Sequence, residues 1–116
     1  GGDAILIPSR FEPCGLPQLY GLRYGCLPVV ARVGGLADTV IDANEAAVSA
    51  GAATGIAFAP SDPLALHGAI ARAVHLHGNR PIWQAMQRAA MRANVSWDSS
   101  AARYAALYRD LLAEAA

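Results

Sequence analysis

The chain has 116 residues, 54% of them hydrophobic and 16% charged, a size and balance that suit one domain able to bury a core. Nine basic and nine acidic side chains cancel, so bulk charge points to neither nucleic acid nor a membrane as partner, and any anion must be held locally. No apolar run reaches the roughly 20 residues of a membrane span, residues 1–8 hold no signal-like core, and two cysteines suffice neither for a disulfide framework nor, at their spacing, for zinc. A soluble, cytoplasmic chain with reduced Cys14 and Cys26 and no cofactor is expected.

Gly1-Gly2-Asp3 leads into the first element without an initiating methionine or a polar leader, as in a fragment that begins just ahead of a buried strand. Ala4 to Ile7 is apolar without alternation, which predicts a central parallel strand covered on both faces and stopped by Pro8. Residues 9–25, SRFEPCGLPQLYGLRYG, then run from loop into helix. Pro17 suits the first helical position, where its missing N–H costs nothing. Leu19, Leu22 and the rings of Tyr20 and Tyr24 are expected to cover the sheet while Arg23 reaches outward, and Gly25 marks the stop. Leu27 to Ala31 reads as a second parallel strand with Pro28 near its beginning.

After Gly34-Gly35 the pattern predicts a short helical turn over 36–40, and residues 42–54, small and without strong period, predict mostly surface loop. A third strand is expected over 55–58. Asp62-Pro63 opens a helix over 63–77 with an inward stripe of Leu66, Ala69, Ile70, Ala73 and Val74, ended by Gly78-Asn79. Pro81 opens another helix to about Ala93. Ser96 caps a last one in which Tyr104, Leu107, Tyr108, Leu111 and Leu112 share a face. Trp83, Trp97, Tyr104 and Tyr108 are expected as core anchors. The order β, α, β, α, β and three closing helices predicts an α/β fold, a Rossmann-like parallel sheet with right-handed crossovers and flanking helices.

In such a sheet ligands lie beyond the carboxyl ends of the strands, which is where Ser9, Arg10 and Glu12 fall. Gly15 lets a ligand approach the backbone, and the amides that open the next helix face an anion. Gly34-Gly35, beside Arg32 and a helical start, form either a plain turn or a nest for an anion or hydroxyl. His67, His75 and His77 share one predicted helix, but His75 and His77 are two residues apart and do not share a face, so they read as surface or partly packed rather than as metal ligands. No Ser-His-Asp set, P-loop or GxGxxG is present.

Taken together, Pro8-Ser9-Arg10-Phe11-Glu12-Pro13-Cys14-Gly15-Leu16, Gln18-Leu19-Tyr20, Arg23-Tyr24-Gly25, Pro28-Val29-Val30, Gly34-Gly35-Leu36-Ala37-Asp38-Thr39-Val40 and the later Val95-Ser96-Trp97 resemble the bacterial glycogen synthase and plant starch synthase family. The resemblance covers essentially the whole chain and about the last quarter of such an enzyme. It implies residues 1–116 of a partial C-terminal, nucleotide-sugar-binding domain in a GT-B glycosyltransferase. The activity it implies is transfer of glucose from ADP-glucose to the non-reducing end of an α-1,4-glucan, with retention and by front-face substitution. By the same resemblance Glu12 stabilises the positive charge on the donor sugar, backbone groups at Cys14 and Gly15 hold sugar hydroxyls, and amides from Leu16 through Pro17 to Gln18 face the diphosphate.

The chain departs from that family at two positions, Pro17 where threonine is usual and Val33 where threonine usually precedes the glycines. Tyr20 stands where other, related GT-B families carry a second glutamate, which fits the starch synthase branch and speaks against a general sugar-nucleotide transferase. The family's Lys-x-Gly-Gly motif and the Arg and Lys that grip the diphosphate fall outside these residues. Two expectations of different class result: the donor-site portion of an ADP-glucose glucan synthase, inactive by itself, or a non-catalytic GT-B-like domain that folds or self-associates through an exposed sheet edge.

Overall fold

A computed structural model describes all 116 residues, with three parallel strands at its centre. These are β1 (Ala4–Ile7), β2 (Leu27–Ala31) and β3 (Ile56–Phe58), hydrogen-bonded in the order β1-β2-β3. Ile7 pairs with Val30 and Val30 with Ala57, so the three carboxyl ends finish at one edge and their loops leave side by side. Helices α1 (Pro17–Tyr24) and α2 (Gly34–Thr39) follow the first two strands. The short α3 (Glu45–Ser49) precedes β3, and α4 (Pro63–Gly78), α5 (Arg80–Arg92) and α6 (Trp97–Glu114) close the chain.

Strand pleating divides the core in two, because successive side chains point to opposite faces. Leu27, Val29 and Ala31 of β2 join Ile56 and Phe58 of β3 in one cluster with Leu22, Trp83, Met86 and Ala90. Val30 and Ala57 turn the other way, toward Ile7, Leu36 and Val40. Both faces of β2 are therefore covered, which explains its run of five buried residues. Asp42 ties the far end of the sheet: it pairs with Arg72 of α4, and its Oδ1 accepts the Ala57 amide at 2.7 Å. No helix is long and apolar enough to cross a membrane.

The expected α/β class, the parallel sheet and the three strand positions are all present, and several finer expectations are not. β1 is an edge strand, not a central one, and Ala4 and Leu6 are exposed along it. The stretch expected as surface loop contains α3, capped by Asn44 Oδ1 accepting the Ala47 amide at 2.9 Å, and buries Ala43, Ala53 and Thr54. Small residues hid that helix, since alanine packs without leaving a strong hydrophobic period. On α4 the inward side is Ala65, Leu66, Ala69, Ala73 and Leu76, whereas Ile70 and Val74 are exposed.

The aromatic expectations divide likewise. Trp83 is buried, but Tyr20 and Tyr24 are exposed, and so are Trp97, Tyr104 and Tyr108 of α6, a helix with no buried residue at all. Its spacing is that of a packing face, and no element of this chain lies against that face; the rings instead stack tilted on one another, Trp97 on Tyr104 at 5.8 Å and Tyr104 on Tyr108 at 6.4 Å. Ser96 stands at the N-cap of α6, yet its hydroxyl turns to Asn94 and Asp98 and does not cap.

Candidate donor site at the strand ends

The loop after β1, residues 8–16, and the turn after β2 meet at the carboxyl edge of the sheet. The Gly35 amide bridges them, donating to Glu12 O at 3.3 Å and to Pro13 O at 3.2 Å. This contact is possible only without side chains: a Cβ on Gly34 would overlap the Glu12 carbonyl oxygen, and one on Gly35 would lie 2.7 Å from Cys14 Cα. Gly34 also has φ +44°, in the left-handed region where a Cβ is strained. The expected nest is thereby narrowed, since the Gly35 amide is already committed to the loop. Within this pair Gly35 is a packing residue, and Gly34 stays exposed.

The other half of the loop is held by a side chain. Gln18, fully buried in the first turn of α1, donates from Nε2 to Cys14 O at 2.8 Å and to Gly15 O at 2.9 Å, and reaches Thr39 Oγ1 at 3.4 Å. The Thr39 hydroxyl donates in turn to Gly35 O at 2.6 Å, linking α1 to α2. Two carbonyl acceptors at short range fix which end of the carboxamide carries hydrogens. Its Oε1 is buried without a donor, a state that costs about 1–3 kcal/mol. The carboxamide lies across Gly15, where a Cβ would sit 2.5 Å from Oε1 and where φ is +77°.

Glu12 is half-buried between these supports, with Ser9 Oγ donating to its Oε2 across 3.5 Å. Neither ion pair of the chain, Arg72–Asp42 or His77–Asp3, involves it, so no cation of this chain compensates its charge. α1 begins at Pro17 with no side-chain cap, and the amides of Cys14, Gly15, Leu16, Gln18 and Leu19 have no acceptor in the chain. A carboxylate and a row of free donors thus share one loop.

Glu12, Cys14, Gly15, Leu16, Pro17 and Gln18 therefore fall together, with Gly34 and Gly35 against them. Arg10 does not join them: it is exposed and lines a separate cleft of about 190 Å³ with Pro8, Ser61 and Asp62 at the start of α4. Cys14 is exposed beside the site, while Cys26 lies at the amino end of β2, where burial and then the charge of Asp3 push its thiol up. His67 and His75 are exposed and His77 meets Trp83 edge-on at 5.1 Å. The sequence pointed to the backbone of residue 18 and missed its side chain and Thr39. A polar residue four before Leu22, on the helix face that packs, was the available signal for Gln18; Thr39 is a long-range partner and left none.

No family model matches the chain. Glycogen synthase from Cereibacter sphaeroides is 60% identical over 113 residues, 97% of this chain and 24% of that protein. The glycogen synthase of Novosphingobium aromaticivorans is 62% identical over 114 residues, again 24% of its length. Among solved structures, the catalytic domain of starch synthase IV from Arabidopsis thaliana bound to ADP and acarbose matches with a TM-score of 0.81 at 33% identity, over 93% of this chain and 22% of that one. Sucrose-phosphate synthase from Thermosynechococcus elongatus matches with a TM-score of 0.67 at 27% identity, over 97% of this chain and 26% of that one. The chain spans about a quarter of the length of the curated relatives it matches, 24% in each case quoted. With this agreement in sequence and in backbone over almost every residue, the chain belongs to the glycogen synthase and starch synthase family of GT-B glycosyltransferases.

Proposed function

We propose that residues 1–116 form the C-terminal part of a nucleotide-sugar-binding domain, and that they supply the donor side of glucose transfer from ADP-glucose to the non-reducing end of an α-1,4-glucan. The observation that carries this is the pairing of Glu12, uncompensated and half-buried, with unpartnered amides on the same loop. Departure of a diphosphate concentrates negative charge, which free N–H groups at a helix N-terminus stabilise. The sugar left behind becomes oxocarbenium-like, and a carboxylate stabilises it. Retention then needs no protein nucleophile if the acceptor attacks on the face the diphosphate leaves. The ADP and acarbose held by the starch synthase relative support a nucleotide and a glucan as the ligands.

The diphosphate-gripping Lys and Arg implied by the family resemblance are not among these residues, so turnover is assigned to the larger enzyme and not to the chain alone. Two free thiols accord with a reducing, cytoplasmic setting. The outer edge of β1, with Ala4 and Leu6 exposed, is the feature that supports self-association of the isolated chain.

The test uses a host: the Cereibacter sphaeroides glycogen synthase carrying this chain in place of its matching segment. Glu12→Gln in that host should lower kcat by about two orders of magnitude or more while leaving ADP affinity nearly unchanged, because the charge it meets develops mainly in the transition state. Unchanged turnover would remove Glu12 from the chemistry. A host in which the unmodified segment binds no ADP would favour a non-catalytic domain.

A further inference from the structure

We infer that the Gln18 side chain, braced by Thr39, is the positioning residue that turns the amides of the donor loop outward; the inference rests on the function proposed above and goes on to name what aims its donors. Four consecutive carbonyl oxygens of the loop are drawn inward. Those of Glu12 and Pro13 accept from the Gly35 amide, and those of Cys14 and Gly15 accept from Gln18 Nε2. In a planar trans peptide the C=O of one residue and the N–H of the next point in opposite directions. Holding the carbonyls of Pro13, Cys14 and Gly15 inward therefore aims the N–H groups of Cys14, Gly15 and Leu16 away from the protein, and none of the three has an acceptor in the chain. Pro13 follows Glu12 and has no N–H to aim.

The division of labour is specific. Gly35 controls the Cys14 amide, and Gln18 controls those of Gly15 and Leu16, the two nearest the start of α1. Thr39 completes the brace, since its hydroxyl is engaged with Gly35 O and leaves its lone pairs for Gln18. A buried carboxamide with one orphaned oxygen is a poor choice for packing alone. The pair of carbonyls beneath its other end is what requires an NH2 group there.

The experiment compares the unmodified segment with Gln18→Met and Gln18→Glu in the glycogen synthase host, reading ADP Kd, ADP-glucose KM, kcat and melting temperature. Gln18→Met keeps length and removes both donors. It should raise Kd and KM about tenfold, the equivalent of roughly one hydrogen bond, with kcat changed less. Gln18→Glu is nearly isosteric but presents an acceptor to two acceptors, so its Kd should exceed that of Gln18→Met near neutral pH. It should then recover as pH falls toward the ordinary glutamate range of about 4.3, where one O–H returns. A merely structural role would move the melting temperature over the same pH range and leave the ADP Kd of the folded variant unchanged.

Folded variants whose ADP Kd and KM match the unmodified host overturn the inference, and so does a Gln18→Glu variant with no pH-dependent recovery. If Gln18→Met does not fold, Thr39→Val carries the test, because it keeps the side-chain shape and severs the brace; unchanged ADP affinity there overturns the inference. Failure of the unmodified host to bind ADP is a different result, which removes the functional proposal itself.

Discussion

Replacing Gly34 by alanine tests whether the two loops at the sheet edge are held together by backbone contact. The new methyl group would overlap the Glu12 carbonyl oxygen and come within 3.0 Å of its carbon and 3.4 Å of Pro13 Cα, all of them backbone atoms that cannot rotate away. Gly51 provides the control, because its φ of +66° imposes comparable left-handed strain while nothing lies within 4 Å of its would-be Cβ. Strain alone should cost Gly51→Ala about 1 kcal/mol. Gly34→Ala adds an overpacking cost of about 1–3 kcal/mol, giving about 2–4 kcal/mol in total. For a domain of this size a loss of 1 kcal/mol lowers the melting temperature by about 4 °C, so the two variants should melt about 4 °C and about 8–16 °C below the parent. Circular dichroism melts of the 116-residue chain measure both. Because Gly34 lies against the carbonyl of Glu12, the host enzyme carrying Gly34→Ala should also lose ADP affinity, and Gly51→Ala should not. Melting temperatures within about 2 °C of one another would refute the contact.

Two further substitutions separate packing from ligand binding. Trp83→Ala removes a ring that is 1% exposed and should cost about 3–5 kcal/mol, whereas Trp97, 69% exposed, should cost within about 0.5 kcal/mol in the isolated chain. Equal losses in urea unfolding would contradict the placement of α6. Pro17 occupies the first position of α1 with free amides at Gln18 and Leu19 beside it, so Pro17→Thr in the host should tighten ADP binding by about 0.5–1.5 kcal/mol while slightly lowering the melting temperature. Equal calorimetric affinities for ADP would show that this turn does not face the phosphates.

The features that the sequence determined by itself are local ones. Ala4 to Ile7 and Leu27 to Ala31 carry continuous apolar runs, Pro17 and Asp62-Pro63 mark helix starts, and Gly25 marks a stop; each acts within a few residues, so each is legible without a fold. The motif around Glu12 is equally local, and the family resemblance it carried was matched by sequence and backbone alike. Helix α3 escaped because it is short and its alanines bury little area apiece, so its period carries no signal until Ala47 and Val48 have a core to pack against.

Tertiary structure decided everything that depends on a partner distant in sequence. A helical apolar face looks the same whether or not a neighbour covers it, so spacing could not separate Trp83, buried in the cluster under the sheet, from Trp97, Tyr104 and Tyr108, which stay exposed with their rings stacked in sequence along α6. An unbroken apolar strand likewise does not reveal whether it lies at the centre or the edge of a sheet. Gly34-Gly35 read as a turn or a nest, and only the approach of residues 12–14 made both glycines obligatory for packing. Gln18 is the sharpest case. Its sequence position identified a helix start, but its bonds span three segments, residues 14–15, α1 and α2, and a hydrogen bond between segments has no sequence signature until the chain has closed on itself.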